Sequence, residues 1–487
     1  MAGHLPLSSE GAELLADVLA HAHRGDPART FPVHDPASGA PIGEVADMGV
    51  EETEQAIAAA RAAFPAWAAR TARDRSEILR RWYELILANS AALAELLTLE
   101  QGKPRAEALG EVVFGANFIE WFAEEAKRLY GDVIPPHAPD KRCLVIKQPI
   151  GVVGAITPWN FPSSMITRKV SPALAAGCTI VVKPAEDTPL SAIALQLLAE
   201  RAGFPEGVMN VVTAARAEAV AGALTASPDV RKISFTGSTR VGKILMRQCA
   251  DTVKKLSLEL GGNSPFIVFD DADLDEAVAG AMATKFRNAG QACVATNRIY
   301  VQSGIRAAFT EKLGAAMRDL PVGSGLAEGT RIGPLINPAA VAKVAGLVED
   351  AVGKGAQVAL GGRPHELGGL FYEPTLLTDV GMEMDIAGTE IFGPVAAIYG
   401  FESEEEVIAL ANDTPYGLAA YLWTRDVGRV FRVSEALEYG MVAVNEVLSS
   451  NPATPFGGIK ESGLGREGSR YGLEDFVEIK YIALGGI

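Results

Sequence analysis

The chain has 487 residues, of which 48% are hydrophobic and 21% are charged. This composition is typical of a globular protein with two or three domains. Its 44 basic and 60 acidic residues give a formal net charge of −16, so nucleic acid and anionic membranes are not expected as partners. An anionic ligand would need a local cluster of arginine or lysine.

The cysteines and histidines predict neither a metal site nor a disulfide framework. Cys143, Cys178, Cys249 and Cys293 are too far apart for a CxxC motif, and the six histidines are scattered. So few cysteines in so long a chain fit a reducing cytoplasm. The N-terminus lacks the pattern of a signal peptide, and no run of about 18 apolar residues predicts a transmembrane helix.

The hydrophobic pattern predicts an α/β fold. Residues 51–130 have the period of amphipathic helices, whereas short apolar strands alternate with helices from residue 143 onward. Such alternation indicates a parallel sheet covered by helices. It restarts after residue 260, where we expect a domain boundary.

Several segments contain residue types suited to covalent chemistry and nucleotide binding: ITPWNFP at 156–162, VVKPAEDTP at 181–189, FTGSTRVG at 235–242, LELGGNSP at 258–265 and NAGQACV at 288–294. Three more accompany them: EQGKP at 100–104, EIFGP at 390–394 and PFGGIKESGLGREG at 455–468. Taken in chain order, these segments extend over essentially the whole chain and resemble the signature segments of the aldehyde dehydrogenase superfamily. The resemblance implies NAD(P)+-dependent oxidation of an aldehyde to a carboxylic acid through a cysteine thioester.

Three residues are the candidate catalytic groups. Cys293 follows the small-residue turn Gly290-Gln291-Ala292, and a thiolate presented to a cleft is a strong nucleophile. The resemblance implies that the Asn160 amide and the backbone N–H of Cys293 stabilise an oxyanion, and that Glu259 is the general base. Taken alone, each has a simpler alternative: a core cysteine, an Asx turn and a solvent-facing strand residue.

The resemblance also implies an NAD site, with NADP possible, made of these residues: Trp159, Lys183, Glu186, Gly237, Ser238, Gly242, Glu390 and Phe392. The loop before Gly242 opens onto a helix, and a helix N-terminus favours phosphate. In the family, Lys183 and Glu186 would meet the adenosine ribose, while Glu390 and Phe392 would meet the nicotinamide end. A carboxylate such as Glu186 repels a 2′-phosphate, which favours NAD over NADP. Alternatively, Glu186 caps the following helix.

The segments MITRK at 165–169 and KFRNAGQ at 285–291 resemble the succinate-semialdehyde dehydrogenase branch of the superfamily. This resemblance implies that Arg168, Arg287 and Ser450 bind the carboxylate of succinate semialdehyde or a similar short semialdehyde acid. The alternative for the arginines is ordinary surface or interhelical pairing. The sequence of the loop LSSNPATPFGG differs from the one usual in this branch, which leaves the chain length of the substrate open.

The predicted architecture has three parts: an NAD-binding domain of residues 1–123 and 147–260, a catalytic domain of 261–450, and an oligomerisation arm of 124–146 and 470–487. The last segment alternates like an edge strand, and an uncovered apolar edge is an aggregation hazard, so we expect a homodimer or homotetramer. Three rival functions are a general dehydrogenase for uncharged aldehydes, a cysteine hydrolase or acyltransferase, and a non-catalytic binding protein on the same fold.

Overall fold

The computed structural model describes residues 7–22, 29–447 and 451–486. Its strands are β1 (Thr30–His34), β2 (Pro41–Ala46), β3 (Asp132–Ile134), β4 (Lys141–Pro149), β5 (Val152–Ile156), β6 (Thr179–Lys183), β7 (Met209–Val211), β8 (Val230–Thr236), β9 (Lys255–Glu259), β10 (Ser264–Val268), β11 (Thr296–Gln302), β12 (Gln357–Leu360), β13 (Thr375–Thr378), β14 (Val395–Phe401), β15 (Ala419–Trp423), β16 (Met441–Val444), β17 (Gly463–Leu464) and β18 (Val477–Gly485).

The α-helices are α1 (Ser9–Ala22), α2 (Val50–Ala68), α3 (Ala72–Ala88), α4 (Ser90–Gln101), α5 (Arg105–Glu125), α6 (Ser164–Ala176), α7 (Leu190–Ala202), α8 (Ala217–Ala226), α9 (Thr239–Ala250), α10 (Leu274–Phe286), α11 (Arg306–Arg318), α12 (Pro338–Gly353), α13 (Asp385–Gly388), α14 (Glu404–Asn412), α15 (Val427–Ala436) and α16 (Ser469–Glu474). Short 3-10 turns lie at Ala126–Arg128, Arg287–Gly290 and Lys460–Ser462.

A six-stranded sheet carries the first half of the chain, in the order β17-β9-β8-β5-β6-β7. All neighbours are parallel except β17, which pairs antiparallel with β9. The chain runs outward from β5 to β7 on one side and from β8 to β9 on the other. The order therefore reverses between β5 and β8, and ligands bind at the carboxyl ends of strands beside such a switch point.

A seven-stranded sheet carries the second half, in the order β12-β13-β14-β11-β10-β15-β16. Its strands are parallel except for β12, which pairs antiparallel with β13. Its central strands are buried on both faces, as expected of a parallel sheet between helices. The predicted α/β class is confirmed.

The hydrophobic clusters divide near the predicted boundary. One large cluster runs from Leu14 to Met209 and includes Leu473, Phe476 and Val477. A second begins at Phe266 and ends at Ala443. The proposed domain division at residue 260 falls between the two. Within the described ranges, no helix is both long and apolar enough to cross a lipid bilayer.

A three-stranded antiparallel sheet, β18-β4-β3, contains the segments predicted to form the arm. Helix α5 and its 3-10 extension occupy residues up to 128, and α16 occupies residues 469–474. The strands of this sheet therefore occupy only part of the residue ranges predicted for the arm. It exposes Val133, Ile479, Tyr481 and Leu484. Exposed apolar side chains in a row along an edge strand favour pairing with another chain.

We propose that this sheet joins subunits, and we expect Ile479→Asp to lower the assembly state. Ile479 is 72% exposed, and a charge at an apolar contact between subunits would have to be desolvated. The measurement is molar mass by light scattering, with circular dichroism to show that the chain remains folded. Lys480→Asp, one residue along the same exposed strand, is the matched control. An unchanged mass for Ile479→Asp would contradict the proposal.

Candidate active site

The turn before Cys293 has an unusual backbone. Helix α10 ends at Phe286, and Asn288, Ala289 and Gly290 then have φ angles of 52°, 54° and 76°. The sequence predicted a small-residue turn at Gly290-Gln291-Ala292, but the left-handed conformation covers Asn288 to Gly290, and two of these three residues carry side chains. Each such residue costs about 1 kcal/mol or more in the left-handed region. Such strain persists only where surrounding contacts hold it.

Those contacts come from Gln291. Its side-chain oxygen accepts the backbone N–H of Ile336 at 3.0 Å, and its amide donates to the Asn288 carbonyl at 3.1 Å. The carbonyl of Cys293 lies so close to Gly262 that an added Cβ there would be 2.5 Å from it. The absence of a side chain at Gly262 therefore allows the two segments to approach.

Two cavities meet at Cys293. The larger has a volume of about 470 Å³ and the smaller about 260 Å³, and Cys293 and Met165 line both. Among the residues around the larger cavity are Phe118, Phe161, Arg168, Arg287 and Phe456. Around the smaller one are Trp159, Asn160, Gly237, Ser238, Lys343, Glu390 and Phe392. One thiol can therefore reach ligands that enter from two sides.

Asn160 follows β5 and lies beside the nucleophile turn. Its side-chain amide donates to the carbonyl of Gln291 at 3.1 Å, and its backbone carbonyl accepts a hydrogen bond from the Asn288 amide at 3.0 Å. The predicted oxyanion donor thus contacts the segment that carries the predicted nucleophile. Its amide takes part in a tertiary contact rather than in a local turn.

Glu259 ends β9 and is buried, not solvent-facing. Neither carboxylate oxygen has a hydrogen-bond partner among the described residues. Burial, together with the negative charge of Glu467, raises the pKa of Glu259 well above its usual value. A carboxyl group in this state takes up a proton readily, as a general base must.

Glu467 forms a buried cluster with two cations. Lys169 donates to its carboxylate and also to the Thr236 hydroxyl at 2.5 Å, while Arg168 Nε lies 3.1 Å from its other oxygen. Burial works to raise the pKa of Glu467, but Lys169 and Arg168 outweigh it and lower that pKa. Glu467 therefore stays charged and holds both cations beside Glu259.

Cys293 is partly exposed and lines both cavities. Burial first, and then the charges of Glu390 and Glu259, raise its pKa to about 12, although Arg168 opposes them. The thiol is therefore protonated at neutral pH in this state, and attack on a carbonyl requires that it lose its proton. The other three cysteines are buried and form no disulfide.

The smaller cavity lies at the carboxyl ends of β5 and β8. It opens beside the switch point, and Ser238 caps α9 there by accepting the N–H of Val241 at 3.4 Å. Trp159 and Phe392 meet edge to face at 5.5 Å, and the left-handed φ of Phe392, 55°, fixes this ring at the rim. Gly242 lies behind the cavity wall, where an added Cβ would be 2.5 Å from Leu260.

Glu390 is the carboxylate of that cavity. It accepts the N–H of Gly262 at 3.1 Å, and burial raises its pKa to about 7. Buried Lys285, whose amine has no hydrogen-bond partner in the described part of the chain, lies close enough for the two charges to act on each other. Burial lowers the pKa of Lys285 to about 7.

Lys183 and Glu186 lie outside the lining of both cavities. Lys183 ends β6, and its amine donates to Glu186 at 2.9 Å. Glu186 does not cap α7, because Glu100 accepts the first N–H groups of that helix, from Leu190 and Ser191. The helix-cap alternative for Glu186 is therefore wrong, and its 49% exposed carboxylate faces solvent beside a lysine.

Arg168 and Arg287 both line the larger cavity. The Arg168 guanidinium lies 5.2 Å from the Phe118 ring and 4.0 Å from the Phe456 ring. It pairs with Glu467, yet Nη2 has no hydrogen-bond partner among the described residues. The Arg287 guanidinium lies 4.9 Å from the Phe161 ring. The third predicted residue of this group, Ser450, lies outside the described residues.

Sequence reasoning missed several residues of the site. Glu467 and Lys169 lie in segments that matched the family, but no local pattern indicated that they meet. Lys285 and Lys343 gave no signal, because a single lysine in a helix usually faces solvent. In the ranges that the structure covers, no group of three or more His, Cys, Asp or Glu side chains could hold a metal ion.

Known proteins resemble this chain over nearly all of its length. The model of the Aldehyde dehydrogenase family matches residues 23–482. A glutarate-semialdehyde dehydrogenase of Pseudomonas aeruginosa is 60% identical, covering 95% of each chain. The NADP(+) succinate-semialdehyde dehydrogenase of Escherichia coli (strain K12) is 60% identical, covering 93% of this chain and 94% of that one. The crystal structure of a Burkholderia pseudomallei succinate-semialdehyde dehydrogenase superposes with a TM-score of 0.94 at 58% identity, covering 94% and 95%.

The chain belongs to the aldehyde dehydrogenase family. The resemblance seen in its segments is confirmed, and so is the predicted reaction, the oxidation of an aldehyde to a carboxylic acid with NAD(P)+ as cofactor. These findings fit a dehydrogenase better than a cysteine hydrolase or acyltransferase.

The pKa values of this site predict that reactivity rises with pH. Because the pKa of Cys293 is raised to about 12, the thiolate is lost as pH falls, and its fraction should change about tenfold per pH unit below that pKa. The measurement is the rate of Cys293 alkylation by iodoacetamide between pH 6 and 9 without cofactor, with Cys293→Ala as the blank. A rate that levels off below pH 8 would show a thiolate already formed at neutral pH.

Proposed function

We propose that the substrate is a short aldehyde with a carboxylate at its far end, such as succinate semialdehyde. The observation that carries this proposal is the buried guanidinium of Arg168, which lines the cavity of Cys293. Its Nε and Nη2 both lack a hydrogen-bond acceptor among the described residues, although Nε is ion-paired with Glu467. Buried donors are rarely left unpaired. A substrate carboxylate would supply that acceptor.

The surroundings support an anionic ligand at this point. The chain carries a net charge of −16, yet Arg168 and Arg287 place two cations around one cavity. Aromatic rings beside both guanidiniums keep water away from them, which strengthens charge-assisted hydrogen bonds. The relatives named above carry the names of two semialdehydes that end in a carboxylate.

We propose the following roles for the residues around the thiol. Cys293 loses its proton and its sulfur bonds to the aldehyde carbon, while the Asn160 amide turns from the Gln291 carbonyl to the new oxyanion. A bound nicotinamide cofactor would supply the acceptor for the hydride of this carbon. Glu259 then takes a proton from water, which adds to the thioester carbon as the C–S bond breaks and releases the acid.

We propose that the smaller cavity holds the nicotinamide end of the cofactor, beside Glu390 and Phe392. The half-exposed Glu186 carboxylate, which lies just beyond the carboxyl end of β6, would receive the adenosine ribose. A carboxylate there favours the free 2′-hydroxyl of NAD over a 2′-phosphate. The partner Lys183 weakens that preference, because its ammonium attracts phosphate.

Arg287→Ala should lower kcat/KM for succinate semialdehyde while leaving butanal, which has the same carbon number but no carboxylate, almost unchanged. A charge-assisted contact contributes about 1.5–3 kcal/mol, which corresponds to about a 10- to 150-fold loss. Most of the loss should appear in KM. Arg168→Ala should affect both aldehydes, because Arg168 also acts on the pKa of Glu259, but it should affect succinate semialdehyde more.

Arg363→Ala is the matched control, because it removes the same charge from an exposed site. Equal losses on both aldehydes for Arg287→Ala, or a wild-type preference for butanal, would contradict the carboxylate proposal. The remaining interpretation would then be a general aldehyde dehydrogenase that acts on uncharged aldehydes.

Glu186→Ser should shift the cofactor preference toward NADP. The substitution removes the carboxylate and frees the Lys183 amine for a 2′-phosphate. The measurement is the ratio of kcat/KM for NAD to that for NADP, with Glu206→Ser as a control that removes an exposed carboxylate elsewhere. A wild-type enzyme that already prefers NADP would show that Glu186 does not have this role.

A further inference from the structure

Lys103 is a buried lysine to which the chemistry above assigns no role. Its side chain is fully enclosed, and its amine donates to Glu111 Oε2 at 2.6 Å and to the backbone carbonyl of Asn160 at 2.7 Å. It also lies 3.9 Å from the centre of the Phe161 ring. Burial lowers the pKa of Lys103, and Glu111 opposes that effect. A buried ion pair is a weak source of stability, so its place beside Asn160 calls for another reason.

Glu111 extends the contact to the other end of the same turn. Its second oxygen accepts the backbone N–H groups of Ser163 at 2.9 Å and Ser164 at 3.1 Å, where α6 begins. Lys103 therefore binds the turn at the carbonyl of Asn160, and Glu111 binds it at the N-terminus of α6. The turn has little freedom to rotate.

The loop that carries Lys103 is also tied to the nucleophile segment. The Gln101 amide donates to Asn288 Oδ1 at 3.1 Å, and the Asn288 amide donates to the same Asn160 carbonyl at 3.0 Å. Arg105 N–H donates to the carbonyl of Gly325 at 2.9 Å. Gly102, with φ 93°, passes so close to Pro334 that a Cβ would lie 2.7 Å from its ring.

We propose that Lys103 is a positioning residue, which fixes the Asn160 backbone so that the Asn160 amide can reach the oxyanion formed at Cys293. The inference rests on the role proposed for Asn160. Without Lys103, the Asn160 carbonyl would keep one donor instead of two, and the amide would sample other directions. Positioning within fractions of an ångström decides how much such a donor contributes.

The test uses the full-length protein and p-nitrophenyl acetate without any cofactor. The Cys293 sulfur bonds to the acetyl carbon, p-nitrophenolate leaves and is detected by its colour, and the thiol proton passes to solvent. The acetyl thioester is then hydrolysed by water. The first burst of p-nitrophenolate reports acylation alone, which passes through an oxyanion at the same position.

A double-mutant cycle combines Lys103→Met with Asn160→Ala, which keeps the backbone carbonyl but removes the amide. We expect Lys103→Met to slow acylation about tenfold or more in the wild-type background and less than twofold in Asn160→Ala. Equal losses in both backgrounds would overturn the inference. An Asn160→Ala variant that acylates at the wild-type rate would overturn the role of Asn160 itself, and the inference with it.

Lys232→Met is the matched control, because Lys232 is an equally buried lysine that donates to Ser257 in the six-stranded sheet. Its effect should be the same in both backgrounds. If Lys103→Met does not fold, as judged by circular dichroism, Asn288→Gly replaces it in the cycle. That variant removes the other donor to the Asn160 carbonyl, and glycine accepts the φ of 52°.

Discussion

The thiol of Cys293 and the amide of Asn160 belong to chain segments that follow different sheets, and the site exists only while those segments stay in contact. One contact joins them directly, from the Asn160 amide to the Gln291 carbonyl. The left-handed turn at Asn288 and Ala289 immediately precedes Gln291, and the Asn288 amide also donates to the Asn160 carbonyl. The cavities, the buried charges and the glycines at 261 and 262 are all arranged around this junction.

Buried charge is the second feature that organises the site. Three buried cations, Arg168, Lys169 and Lys285, lie near the junction of this acidic chain. Each acts on a carboxylate that is itself buried. The pKa of Glu467 is lowered because two cations surround it, whereas the pKa of Glu259, whose carboxylate has no hydrogen-bond partner among the described residues, is raised. Two carboxyl groups in one cluster thus have opposite preferences for the proton, as expected where like charges share a small volume.

Much of this could be predicted from sequence. The alternating apolar strands gave the α/β class, whereas the roles predicted for Asn160 and Glu259 came from the resemblance of their segments to the family. Contacts between distant positions could not be predicted. Lys169 and Glu467 are 298 residues apart, and nothing near Lys103 indicates that its amine meets the Asn160 carbonyl. The positive φ of Ala289 also gave no signal, because alanine there is held by tertiary contacts.

The chain segment from Glu467 to β18 contributes both to the larger cavity and to the proposed contact between subunits. Glu467 forms an ion pair with Arg168, which lines the larger cavity. Farther along, the chain enters β18, the exposed edge strand proposed to join subunits. Phe476 and Val477, where β18 begins, pack into the hydrophobic cluster of the first half of the chain. Selection acting on how copies of this enzyme associate would therefore also act on what the cavity accepts. Within a lineage, quaternary structure and substrate range would be expected to drift together rather than independently.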